Sequence, residues 1–219
     1  MAKLVVFGAG DIARLAHFYF STDSQHEVVA FTVDAEYRTA EDFLGLPLVP
    51  AEEIAARYPP RDFKMFVAVS YAGMNRVRAE KYVQMKALGY ELVSYISSRC
   101  SYLSQDQPGD NCFILEDNTI QPFVRIGHNV TLWSGNHIGH DSTIGDHCFI
   151  SSHVVVSGHV DIGPSCFIGV NATLRNSIAI GERTLIGAGA VIMKNTRPGS
   201  VYTGPRAERI PRTSDQMDL

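Results

Sequence analysis

Residues 138–163, IGHDSTIGDHCFISSHVVVSGHVDIG, carry an aliphatic side chain at every sixth position: Ile138, Ile144, Ile150, Val156 and Ile162. The phase extends outward in both directions without a slip. Ile114, Ile120, Ile126 and Leu132 precede the stretch, and Ile168, Leu174, Ile180, Ile186 and Ile192 follow it. Such self-similarity at a fixed period marks a repeat architecture. A short strand turns one aliphatic inward, a corner follows, and three sides close a triangular coil of eighteen residues. Successive coils then stack at strand spacing, roughly 4.8 Å. Glycine follows the aliphatic at 127, 139, 145, 163, 169, 181 and 187. It is expected there to supply positive φ at the corner without steric cost.

The eighteen-residue coil also fixes what lies above what. Cys112, Val130, Cys148, Cys166 and Thr184 form one column, two positions before the aliphatic, where a small inward side chain is wanted. Those three cysteines are therefore read as core, and the fourth is Cys100. Asn118 and Asn136 stack as an inward amide ladder. Pro122, His140, Gly158 and Asn176 form an outward column, with Gly158 one coil beyond His140 and no side chain there to block a ligand. Asp141 and His159 also differ by eighteen, so Asp141 is expected to reach toward both His140 and His159. His128, His137, His147, His153 and His159 lie outside the inward phases and are read as solvated or interface groups.

The first hundred residues have another period. Lys3–Gly8, Glu27–Asp34, Lys64–Val69 and Glu91–Ile96 read as strands. Helical patterns fall near Asp11–Phe20, Ala51–Tyr58 and Asn75–Leu88. That alternation predicts a small parallel, Rossmann-like sheet with helices on its faces. The expected organisation is an α/β domain over 1–98, a linker over 99–110, a β-helix over 111–196 and a capping tail over 197–219. Gly8-Ala9-Gly10 ends the first strand and opens a helix, a turn that can offer backbone N–H groups to a phosphate or ribose. Asp34, ending the second strand, can accept hydrogen bonds from ligand hydroxyls. A plain tight turn is the alternative, because Ala13 breaks the full dinucleotide fingerprint.

Composition narrows the class. The chain has 219 residues, 45% of them hydrophobic and 19% charged, with net charge −4. This is a globular balance without a basic nucleic-acid footprint. No apolar run is long enough to span a membrane, and the opening MAKLVVFGAG lacks a signal-peptide pattern. A reducing cytoplasm is the expected compartment. Lys194, Arg197, Arg206, Arg209 and Arg212 make the tail basic beside an acidic prism. They could meet phosphates or simply cap the last coil.

The two halves in this order resemble bacterial nucleotide-sugar acyltransferases, of the sialic-acid O-acetyltransferase and amino-sugar N-acetyltransferase type. The motifs are Gly8-Ala9-Gly10, Asp34 and Asn75-x-x-Arg78 in the first half. Ile138-Gly139-His140-Asp141, Gly158, Gly187-Ala188-Gly189-Ala190-Val191 and Gly204-Pro205-Arg206 mark the second. The resemblance implies a left-handed β-helix, acetyl-CoA as co-substrate, no metal, and a homotrimer with active sites between neighbouring helices. It further implies His140 as general base with Asp141 enhancing it, and Gly158, Ala188 and Arg206 at the cofactor. The nucleotide-linked sugar, in surface-polysaccharide or glycan synthesis, would meet Gly8, Ala9, Gly10, Asp34, Asn75 and Arg78. Two departures stand out: Asp11-Ile12 follows the glycine turn, and Phe149 replaces a histidine that helps the cofactor in some relatives.

Three function classes remain to be separated. An amino-sugar N-acetyltransferase is the reading preferred here, with sugar O-acetylation as its alternative. A non-catalytic sugar-nucleotide binding module would keep both halves but lack affinity for CoA. A zinc carbonic anhydrase of the γ type shares the helix, but needs paired histidines five residues apart, a spacing absent here.

Overall fold

A computed structural model describes residues 2–217. The first unit contains β1 (Ala2–Phe7), α1 (Asp11–Thr22), β2 (His26–Val33), β3 (Asp42–Phe43), β4 (Leu46–Pro50), α2 (Ile54–Arg57), β5 (Lys64–Val67) and α3 (Arg76–Ala87). Its sheet has the order β3-β4-β2-β1-β5, parallel except for the β3–β4 hairpin. Side chains alternate across a strand. Leu4 and Val6 therefore pack with Ala13, Ala16 and Phe20 of α1, while Val5 and Phe7 pack with Ile54 of α2 and Tyr82 and Met85 of α3. Strand β4 was not among the expected strands, and it carries Pro47 and Pro50, residues disfavoured inside a ladder. It is tolerated near the sheet edge, beside the two-residue strand β3.

The boundary between the halves also differs from expectation. Of the strand expected at Glu91–Ile96, only Leu92 reaches the first sheet, through a single bridge to Met65. Tyr95–Ile96 instead pairs with Phe113–Ile114, and Ser101–Tyr102, inside the expected linker, pairs with Thr119–Ile120. The coils therefore begin at Tyr95. The reason is visible in phase: Ile96 and Tyr102 lie eighteen and twelve residues before Ile114, and only Pro108 interrupts the series.

From there the chain winds as a left-handed β-helix of two-residue rungs. Its three sheets have four, seven and six strands. Up to Val191–Ile192 the paired rungs are eighteen residues apart, as His137–Ile138 is from Val155–Val156. Every repeat aliphatic from Ile114 to Ile192 is buried in one continuous core with Cys112, Cys148 and Cys166. The three thiols donate to the carbonyls of Gly127, Gly163 and Gly181. Asn118 and Asn136 are buried as expected. Asn118 Oδ1 accepts from Asn136 N–H, and Asn136 Oδ1 from Val154 N–H. Val201–Tyr202 pairs with Leu185–Ile186 and covers part of the last coil.

The corner works differently from the sequence expectation. Positive φ falls three residues after the aliphatic, at Asn129, Asp141, His147, His153, His159, Ser165 and Asn171 among others. Asn, Asp and His are the side chains that best tolerate this region. The glycines that directly follow the aliphatic have another cause. A Cβ on Gly139 would stand 2.5 Å from the carbonyl carbon of Ser157, and one on Gly163 would stand 2.7 Å from Glu182 N. Close stacking of coils, not backbone freedom, selects glycine there.

The first unit docks on the seven-stranded face through buried polar groups. Arg78 donates to the carbonyls of Asn129, His147 and Cys148 and to the side chains of Asn129 and Asn75. Asn75 donates to the carbonyls of Ser165 and Cys166. Asn111 extends the sheet edge, accepting from Val67 N–H at 2.7 Å and donating to its carbonyl.

Candidate active site

His140 and Asp141 sit at the corner that follows the rung His137–Ile138. The positive φ of Asp141, 56°, turns its side chain back beside the imidazole. His140 Nδ1 lies 2.7 Å from Asp141 Oδ2. An ionised carboxylate can only accept, so in the neutral ring Nδ1 carries the hydrogen and Nε2 keeps its lone pair. The main chain of His140 is fixed separately, its N–H donating to Gln121 Oε1 at 2.9 Å. Gln121 was not singled out in the sequence, although the coil arithmetic places it beside Gly139, one coil earlier. A Cβ on Gly158 would stand 2.7 Å from His140 Nε2, so this glycine is what leaves the ring its place. Asp141 also approaches His159, 3.9 Å from its Nε2, and the two imidazoles meet edge to face at 5.0 Å. The reach of Asp141 toward both rings is as expected. Chemically, the corner offers an oriented base with solvent access.

The second feature is a cleft of about 540 Å³ between the first unit and the helix. Gly8, Ala9, Gly10, Asp11 and Asp34 line it, joined by Lys81 of α3 and by Trp133 of the helix. Gly8 has φ 132°, and a Cβ there would stand 2.6 Å from the Ala68 carbonyl oxygen, so the turn itself requires glycine. Gly10, which precedes α1, meets nothing within 4 Å. No contact among the described residues demands its smallness. Asp34 is not free in the cleft, because Lys81 Nζ binds its Oδ1 at 2.6 Å. Asp34 directly follows β2 and Lys81 reaches it from α3, and neither Lys81 nor Trp133 carried a sequence signal.

Asn75 and Arg78 do not belong to this cleft. Both are buried, at 0% and 2% exposure, and their polar atoms are spent on the helix backbone as described above. Burial lowers the guanidinium of Arg78 to about 10. Their sequence spacing reflects docking of α3, not contact with a ligand. Ala188 is exposed, but on the corner that also carries Ser134 and Ser152, one corner away from His140 and Gly158. Arg206 is exposed in the tail. One chain therefore brings together His140, Asp141 and Gly158 at one place, and Gly8, Ala9, Gly10 and Asp34 at another. Among the described residues no helix is long and apolar enough to cross a membrane.

Residues 124–158 and 159–194 match the family model for the bacterial transferase hexapeptide (six repeats). No curated protein matches the chain. Among solved structures, the chain is similar to the acetyltransferase domain of PglB from Neisseria gonorrhoeae FA1090. The identity is 24%, covering 96% of this chain and 100% of that one, with a TM-score of 0.82. The same domain is known in complex with acetyl coenzyme A, at 23% identity over 95% and 98% of the two chains and a TM-score of 0.78. PerB from Caulobacter crescentus, in complex with CoA and GDP-perosamine, is 22% identical over 93% and 95% of the two chains, with a TM-score of 0.79. At these identities the likeness is one of fold.

Proposed function

We propose that this chain is an acetyl-CoA-dependent N-acetyltransferase acting on a nucleotide-linked amino sugar, with His140 as general base. The observation that carries the reading is the imidazole of His140, tied at Nδ1 to Asp141 and left with a free Nε2 against Gly158. Acyl transfer needs a group to remove the proton of the attacking amine. In this reading the amine nitrogen attacks the thioester carbonyl carbon, and Nε2 takes the proton as the C–N bond forms. The C–S bond then breaks, and the imidazolium returns the proton to the departing sulfur. Asp141 holds the tautomer and offsets the positive charge on the ring.

The cleft would hold the sugar nucleotide. Gly8, Ala9 and Gly10 bring backbone close to it, and the open space at Gly10 suits an approaching ligand. The oxygen of Asp34 not engaged by Lys81 can accept from a hydroxyl. Gly158, Ala188 and Arg206 would serve the co-substrate. Because these groups occupy different corners of one prism, the site is completed by a neighbouring copy in a homotrimer. The six-stranded face supports this: its outward Thr119, His137, Val155, Thr173 and Val191 carry no Lys, Arg, Asp or Glu. The relatives of this fold that are solved with acetyl coenzyme A or with CoA and GDP-perosamine support the two ligand classes.

The test is a thiol-release assay with acetyl-CoA against UDP-, GDP- and dTDP-linked amino sugars. Turnover with at least one is expected. Turnover confined to sugars without an amine would make this an O-acetyltransferase. Sugar-nucleotide binding without any affinity for CoA would leave a binding module.

A further inference from the structure

The geometry points to a second ligand at the His140 corner: a divalent transition-metal ion of the zinc type, held by His140, Asp141 and His159, that switches the base off. One ligand atom from each residue lies within 4.8 Å of the others. Two imidazoles and one carboxylate form a donor set suited to zinc, whereas magnesium and calcium prefer oxygen alone. Tetrahedral bonds of about 2.0–2.1 Å put neighbouring ligand atoms roughly 3.3 Å apart. The present separations, 2.7 Å and 3.9 Å from Asp141 Oδ2 to the two rings, fall on either side of that value.

The backbone under the trio is already fixed. Asp141 and His159 both sit at φ 56°, and His159 N–H donates to the His140 carbonyl at 2.9 Å. Only side-chain torsions must adjust. All three side chains are about half exposed, so an ion can enter and water can fill the remaining positions.

The consequence for chemistry follows from the tautomer, and it rests on His140 being the base. A metal bonded to Nδ1 needs the lone pair there, so the Nδ1 proton leaves and the neutral ring carries its hydrogen on Nε2. Nε2 then has no lone pair to accept the amine proton, and Asp141 is withdrawn from the ring. Zinc would inhibit acyl transfer reversibly without entering the reaction.

Calorimetric titration of the untagged, chelator-treated protein with zinc chloride tests the site. One equivalent per chain is expected. Affinity should fall by about tenfold or more in His159→Ala and in Asp141→Asn, and stay unchanged in His153→Ala. Magnesium should give no binding heat. Zinc should also suppress acetylated-product formation in the wild type, with recovery on adding EDTA. Product must be followed by chromatography, since released thiol itself binds zinc. Absence of zinc binding, or binding that His159→Ala leaves intact, would overturn the site. The titration does not depend on turnover, so a protein that binds zinc here but transfers no acetyl group sinks the proposed function and not the metal site.

Discussion

At the scale of the residue, His140 can act as a base only while its hydrogen stays on Nδ1, and Asp141 is the group that keeps it there. His140→Ala should therefore lower kcat by about 10²–10⁴, the usual worth of a positioned base. KM for acetyl-CoA should change little, because the imidazole is not proposed to hold it. Asp141→Asn should cost less, since the amide oxygen can still accept from Nδ1 although the charge is gone. His153→Ala, on a different corner, serves as the control with near-normal rate. Wild-type turnover in His140→Ala would remove the base from the mechanism.

At the scale of the element, two kinds of corner position can be told apart by substitution. Gly163→Ala should cost about 1–3 kcal/mol in urea unfolding, because its Cβ would press on the next coil. Asn171→Gly, at a position already in positive φ, should stay within about 1 kcal/mol of the wild type. Equal losses would mean that backbone freedom governs both. A second element-level device is Asp23, after the last turn of α1, which accepts from Ser98 N–H and Tyr95 O–H and so ties α1 to the first coil. Hydrogen bonds from Ser98 and then Tyr95 lower its carboxyl from 3.8 to about 2. A depressed carboxylate adds stability that is present above its unfolded value and lost as pH falls through its folded one. Between about pH 4 and pH 2 the melting temperature of the wild type should therefore fall more steeply than that of Asp23→Asn. Parallel acid limbs would show that Asp23 contributes nothing to the docking.

At the scale of the whole molecule, Arg78 is the residue on which the relation between the two units turns. Among the described residues it has no carboxylate partner in its hydrogen bonds, only backbone and amide oxygens on two successive coils and the side chain of Asn75. Arg78→Met should leave those acceptors unpaired and cost about 3 kcal/mol. The loss should appear in calorimetry as an earlier transition of the first unit, separated from that of the helix. A single unshifted transition would show that the apolar contacts alone hold the units together. The proposed homotrimer belongs to this scale as well. Light scattering should return three copies, and a monomer at assay concentration would count against a site shared between chains.

The period of six and its eighteen-residue sum determined the β-helix, its core, the amide ladder and the outward column of His140 and Gly158, because a repeat makes position in space a simple function of position in sequence. Gly8-Ala9-Gly10 and Asp34 were legible for the same local reason, as a strand end and a turn. The meaning of glycine after each aliphatic was not legible, since the clash that selects it is with a residue about eighteen positions away. Nor were Lys81 and Trp133, which reach the cleft from a helix and a coil that no local pattern relates to it. Asn75 and Arg78 had a motif's spacing, but only docking of α3 on the coils decided that they are buried in the joint between the units. A repeat is a local rule carried through the chain, and sequence reads it well. The fit of one unit against another is a balance of burial and hydrogen bonding between distant segments, and only the tertiary structure decides it.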